Sequence, residues 1–187
     1  IGGESGHLSA SGDDPATGLT AVTASVSTQA VLTIPCRADV VFATATDATR
    51  FAQFFQGFGP IPGITSVKWL TSPPGAGGKR AVETADGHTI EEQVVALDKP
   101  HTHRYRIPGG FAVPFCWLVR SAEAKWSFAA HGPATMVTWD YTLELTHPLA
   151  AIITVPLIKL FFRGAMKRCL AEIANAIHLQ GELERLV

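Results

Sequence analysis

The chain has 187 residues, 47% of them hydrophobic and 17% charged, with a formal net charge of -1. That balance describes one globular domain with a sizeable core and excludes a disordered or fibrous polymer. It also excludes nucleic acid as a partner, because phosphate binding needs a clear excess of clustered Lys and Arg. The cysteines Cys36, Cys116 and Cys169 are odd in number and far apart, which predicts buried thiols in a reducing, cytoplasmic location rather than a disulfide framework.

No long apolar run is free of charge; the nearest candidate, residues 149–162, is short and contains Pro156 and Lys159. Stable membrane insertion is therefore not expected. Residues 1–18 begin with Ile1 and are rich in Gly, Ser, Ala and Asp without hydrophobic periodicity, so they read as a flexible leader or tag remnant. Residues 19–187 then form a single domain.

Alternation of apolar and small polar residues over 21–35, with Val22, Val26, Leu32 and Ile34, predicts a half-buried strand closed by Pro35. Residues 38–55 place Val41, Phe42, Ala45, Phe51, Phe54 and Phe55 at helical spacings, and Asp47 is a natural N-cap dividing the stretch into two short helices. Gly57 to Gly63 is a loop leading into a strand through Val67 and Trp69. A second Gly/Pro-rich loop, ending in Gly75-Ala76-Gly77-Gly78, lacks the Gly-Lys-Ser/Thr ending of a phosphate cradle and is expected to be a flexible gate.

From Lys79 onward the pattern is strand, turn, strand. A three-residue loop Ala85-Asp86-Gly87, with Gly87 in the left-handed region, sets Val82 opposite Ile90 and Arg80 opposite Glu92. A two-residue loop would pair Glu83 with Ile90, which matches less well. Strands follow over 101–107, 117–130 and 134–146, the last two joined at His131-Gly132-Pro133. Ala122, Ala124, Trp126 and Phe128 share one face of their strand, as do Val137, Trp139, Tyr141 and Leu143 on the next, and both opposite faces are polar. One face is wet and one covered, as in an antiparallel sheet under a single helical layer. After Pro148, Leu157, Leu160, Phe161, Met166, Leu170, Ile173 and Ile177 trace a long helix, with Pro156 expected in its first turn.

The predicted class is α+β: a curved antiparallel sheet of about seven strands wrapped around a long C-terminal helix, with two short helices after the first strand. In this helix-grip order the sequence resembles the polyketide cyclase/dehydrase and lipid-transport branch of the START-like superfamily, SRPBCC. The matching pieces are Ala38-Asp39-Val40-Val41-Phe42, Asp47 to Arg50, Trp69, Gly77-Gly78-Lys79-Arg80-Ala81-Val82 and Asp86-Gly87. Ile90-Glu91-Glu92-Gln93-Val94, Tyr105-Arg106-Ile107 and Thr135 to Trp139 continue the match. The resemblance implies a cavity between the inner sheet face and the long helix, and no obligatory metal or organic cofactor. It leaves the reaction open, since relatives include cyclases, lipid carriers and hormone receptors.

If the Arg80–Glu92 face points inward, the two form an ion pair inside an apolar cavity, where each needs the other and a ligand carbonyl or hydroxyl can share the arrangement. A purely structural pair is the alternative. Tyr105 supplies a phenolic donor, and His103 is a candidate general base. His101 and His103 share a strand face, but no Cys or carboxylate cluster completes a metal set. Trp69, Trp126, Phe128, Trp139, Tyr141 and Phe161 are the expected apolar wall, with Arg80, Glu92 and Tyr105 as its polar part. Two functions fit: a carrier or binding protein for a small lipid, aromatic or polyketide-like molecule, or a cyclase/dehydratase using Arg80, Glu92, His103 or Tyr105 as acid and base. Lys159, Arg163 and Lys167, every fourth residue along the helix, allow a transient membrane contact or an ordinary solvated face. The ligand and the oligomeric state stay open.

Overall fold

The computed structural model describes residues 24–72 and 74–185. The predicted leader and Val22 lie outside them. Seven antiparallel strands run in the order β1-β7-β6-β5-β4-β3-β2: β1 Ser25–Ile34, β2 Ile64–Trp69, β3 Lys79–Thr84, β4 Thr89–Asp98, β5 Thr102–Ile107, β6 Val119–His131 and β7 Ala134–Leu145. Two short helices, α1 Ala38–Thr46 and α2 Phe51–Phe54, follow β1, and α3 Phe115–Leu118 precedes β6. The architecture is the expected helix grip. Register shifts at Ile64/Ser66, Val94/Ala96 and Val119/Ser121 bend the strands so that the sheet curls around its covered face.

Local chemistry explains the corners. Gly87 adopts φ +81° and its amide donates to the Thr84 carbonyl, which closes the three-residue loop and pairs Arg80 with Glu92 and Val82 with Ile90, as predicted. Asp47 accepts the Thr49 amide at 2.9 Å and so stabilises the turn before α2, although the helix itself begins four residues later at Phe51. Trp117, expected in the next strand, lies in α3; the β6 pairing starts at Val119 because Pro114 starts a helical turn instead. His101 likewise falls in the turn before β5 and is exposed, while His103 is buried. Cys169 is buried, whereas Cys36 and Cys116 are only half-buried, against the expectation that all three are core thiols.

The C-terminal helix is longer and less regular than its stripe suggests. It runs from Pro148 to Arg185, 38 residues, with a π-helical stretch at Leu157–Phe162. Pro148 occupies the first turn and the His147 ring accepts the Leu149 amide there, so Pro156 sits inside the helix. Proline has no N–H for its own turn, and the wide turns follow directly after it. Counting back from Met166 in regular 3.6-residue turns brings Lys159 close to the inward face. The wide turns instead bury Ile158 and leave Lys159 in solvent. Leu160 is exposed and Leu157 and Phe161 are only half-buried, whereas Met166, Leu170, Ile173 and Ile177 are buried as the stripe predicts, joined by Ile158, Ala165 and Cys169. These pack over β1 and against α1 and α2.

Candidate functional site

The inner sheet face divides into a filled half and an open half. In the filled half, direct cross-strand neighbours Trp126 and Trp139 stack with ring centroids 4.1 Å apart, and Phe128 stacks on Trp126. Phe42 meets Phe128 edge-on at 5.1 Å and Phe51 meets Trp126 at 6.3 Å, so the two short helices close this end. Offset and edge-to-face packing of this kind adds roughly 0.5–1.5 kcal/mol per pair beyond the buried area. The open half leaves a cavity of about 250 Å3, a little below the usual range of ligand pockets, roughly 300–1,000 Å3.

Five of the expected site residues line this cavity: Arg80, Glu92, Tyr105, Trp139 and Tyr141. Four do not. Trp126 and Phe128 are packed behind Trp139; Trp69 joins Val67, Val82 and Ala48 in a separate small cluster; Phe161 lies outward against Phe58, with ring centroids 6.3 Å apart. Its neighbour Phe162 takes the inward place and meets Tyr141 edge-on at 4.6 Å. His103 also stands off the cavity, tilted against Tyr105 at 5.4 Å.

The polar corner follows from the register. Reading across the strands, Tyr105 faces Ala124, which faces Tyr141, so one small residue between two large ones brings both phenols to the same wall. On the other side of Tyr105, the β3–β4 hairpin supplies the charged pair. Arg80 Nε donates to Glu92 Oε2 at 2.6 Å, and each residue is only 6% exposed. The guanidinium carbon lies 4.9 Å from the centre of the Tyr105 ring, a cation–π contact.

Electrostatics then fix the protonation states. Burial raises the Tyr105 phenol well above its ordinary range, helped by Glu92 and Tyr141 and opposed by Arg80 and by a hydrogen bond with Trp126. Burial, then Glu92, raises Tyr141 as well. Both stay protonated as donors at any ordinary pH. Burial, with the Arg80 charge adding to it, lowers His103 to about 3, so its ring is neutral and a poor proton acceptor. The Trp139 indole Nε1 is buried, off the accessible surface of the cavity, with no acceptor among the described residues.

The mouth is built from parts the sequence reading passed over. The exposed Pro60, Val113 and Pro114 mark where the cavity opens, giving one lip at residues 60–62 and the other at 111–115, while Ile158 and Phe162 of the C-terminal helix line its wall. His88 donates through Nε2 to the Gly110 carbonyl at 2.6 Å, tying the β3–β4 hairpin to the second lip. The Gly75–Gly78 loop, expected as a gate, lies away from this opening: Gly77 and Gly78 exchange backbone hydrogen bonds with Val94 and extend the sheet. The signals for the mouth were present in residues 108–118, which carry no charged side chain and include Phe111, Phe115 and Trp117.

Comparison with known proteins agrees with this architecture. No curated protein matches the chain. Among solved structures, norcoclaurine synthase from Thalictrum flavum in complex with dopamine and hydroxybenzaldehyde superposes with a TM-score of 0.64 at 14% identity, covering 92% of this chain and 96% of the other. Ara h 8.0201 superposes with a TM-score of 0.58 at 15% identity, covering 82% and 98%. The di-domain ARO/CYC BexL from the BE-7585A biosynthetic pathway gives 0.62 at 18% identity over 81% of this chain and 49% of that one. At such identities these likenesses establish the shared fold. The model of the family described as polyketide cyclase / dehydrase and lipid transport matches residues 22–178, and the chain belongs to that family.

Proposed function

We propose that the protein binds a compact, mostly apolar molecule bearing at least one carbonyl or hydroxyl oxygen, and acts as its carrier or binding protein. The observation that carries this reading is a mostly apolar cavity lined by two phenols held protonated, Tyr105 and Tyr141, and by the Arg80–Glu92 pair. A ligand oxygen that accepts from one of these phenols spares the donor the cost of about 1–3 kcal/mol that an unpaired buried group carries. Apolar Val82, Ile90, Leu143 and Phe162 around it suit a ring system, and a cavity of about 250 Å3 suits a small one better than a two-chain lipid. The free thiols Cys36, Cys116 and Cys169 support a reducing location such as the cytoplasm.

Carriage is favoured over acid–base catalysis by the same protonation states. His103 is neutral and off the cavity, both phenols are held protonated, and Glu92 is engaged with Arg80. A second reading has one specific support. Two protonated phenols lining one cavity are suited to stabilising an enolate oxygen, which would serve a cyclase/dehydratase by polarisation rather than by a base; the ARO/CYC neighbour points the same way.

Titration with 2-naphthol and 2-methylnaphthalene, followed by calorimetry, tests the binding claim. The naphthol is expected to bind several-fold tighter, with the preference lost in Tyr105→Phe with Tyr141→Phe while the methylnaphthalene is unaffected. Equal affinity for both probes in the unmodified protein would overturn the assignment of the polar wall.

A further inference from the structure

The outer face of the C-terminal helix, beside the cavity mouth, carries apolar side chains that nothing among the described residues covers. Leu149 is 68% exposed, Ile152 74%, Ile153 58% and Leu160 65%. Their spacing places them on one stripe of the helix, opposite the buried Thr154 and Ile158. Trp117 of α3, 69% exposed, lies close to the start of this helix, since the Thr146 hydroxyl donates to the Trp117 carbonyl at 2.6 Å. Val113, 67% exposed, extends the patch to the lip of the cavity. Single exposed apolar residues need no explanation, but a contiguous group of large ones around an opening does.

Along this helix the charges next to the patch have one sign, while across the cavity the exposed Asp86 lines the wall. Between Glu144 and Glu172 the chain has no carboxylate side chain but has Lys159, Arg163, Lys167 and Arg168. Arg163 is spent on the Gln29 carbonyl, whereas Lys159 and Lys167 stand free in solvent. β1, over which the helix lies, contributes no ionisable side chain, and residues 108–118 contribute only the Cys116 thiol. An apolar helix stripe, an exposed indole and flanking lysines form the combination that partitions into a negatively charged bilayer surface.

We infer that this face docks on an anionic lipid surface, seating Trp117, Leu149, Ile152, Ile153 and Leu160 at the headgroup level with the cavity mouth turned toward the bilayer. Docking is peripheral. The opposite side of the helix is committed to the sheet through Met166, Leu170 and Ile173, so the helix cannot leave to span the membrane without unpacking the core.

Sedimentation with phosphatidylglycerol vesicles and with phosphatidylcholine vesicles tests this on the full chain. Binding is expected to the first, weakened strongly in 1 M NaCl where the screening length falls to about 3 Å, and accompanied by a blue shift that Trp117→Phe removes. Lys159→Gln with Lys167→Gln lowers partitioning roughly 30-fold, and Ile152→Ser with Ile153→Ser lowers it roughly tenfold or more. All four positions are exposed, so thermal stability and 2-naphthol binding stay unchanged. No sedimentation with phosphatidylglycerol vesicles, or equal salt-insensitive binding to both lipids, overturns the inference. So does a solution dimer that the isoleucine variant converts to monomer, since the patch then belongs to a second copy.

Discussion

Replacing Glu92 by Gln keeps the shape of the polar corner but leaves the Arg80 guanidinium buried without a counter-charge. With N and O 2.6 Å apart and both residues 6% exposed, the charge centres are separated by roughly 4 Å, and at an effective dielectric of about 20 their attraction is about 4 kcal/mol. The cation–π contact with Tyr105 persists in the variant and does not replace it. Removing one partner of a buried pair typically costs about 3–5 kcal/mol, which for a domain of this size lowers the melting temperature by about 6–20 °C. The double variant Arg80→Met with Glu92→Leu has no charge to strand and is expected within about 1 kcal/mol of the parent, or above it. Urea unfolding of the two single variants and the double one completes the cycle and yields the coupling directly. A loss below about 1 kcal/mol for Glu92→Gln, the range of a surface pair, would refute the reasoning, and so would a double variant as unstable as the singles.

Two further outcomes follow from the site's surroundings. His103 has a folded-state value of about 3 against an unfolded value of 6.5, so the unfolded chain binds the extra proton between those limits; stability is full above pH 6.5 and falls by about 1.4 kcal/mol per unit as the pH drops below it. His103→Gln is expected to flatten that part of the stability–pH curve, and a curve parallel to the parent's would show the ring to be solvated. A Cβ at Gly164 would lie 2.7 Å from the Phe58 ring, so Gly164→Ala is expected to swing Phe58 outward, loosen the lip formed by residues 57–63 and speed 2-naphthol exchange several-fold in stopped flow, with a stability loss of about 1–3 kcal/mol; unchanged exchange would show that the lip does not limit access.

The parts of this molecule that could be read from its sequence are those set by short-range rules. The Arg80–Glu92 pairing needed only one glycine able to adopt positive φ and two strands whose apolar residues match across it. The inward faces of β6 and β7 needed only alternation. What could not be read is how three-dimensional space is shared along one face. Trp126, Phe128, Trp139 and Tyr141 all point inward by alternation, yet only the last two reach the cavity, because Phe42 and Phe51 arrive from α1 and α2 to fill the other end. No local pattern encodes that meeting. Phe161 and Phe162 differ by one position in phase, and the choice between them depends on where the helix widens after Pro156, a matter of packing against the sheet rather than of periodicity.

That helical irregularity links the cavity to the outer surface. Two side chains inside the widened stretch, Ile158 and Phe162, form part of the cavity wall, while Lys159 and Leu160 of the same stretch face outward. A regular helix would turn Lys159 toward the sheet, where an ammonium without a carboxylate would be costly, or would rotate Phe162 off Tyr141 and unroof the polar corner. The wide turns satisfy both faces at once, at the expense of weaker backbone geometry. Because Ile158 and Phe162 share the cavity wall with residues 111–115, a surface that seats Leu160 bears on the same helical stretch that holds Phe162 against the Tyr141 ring.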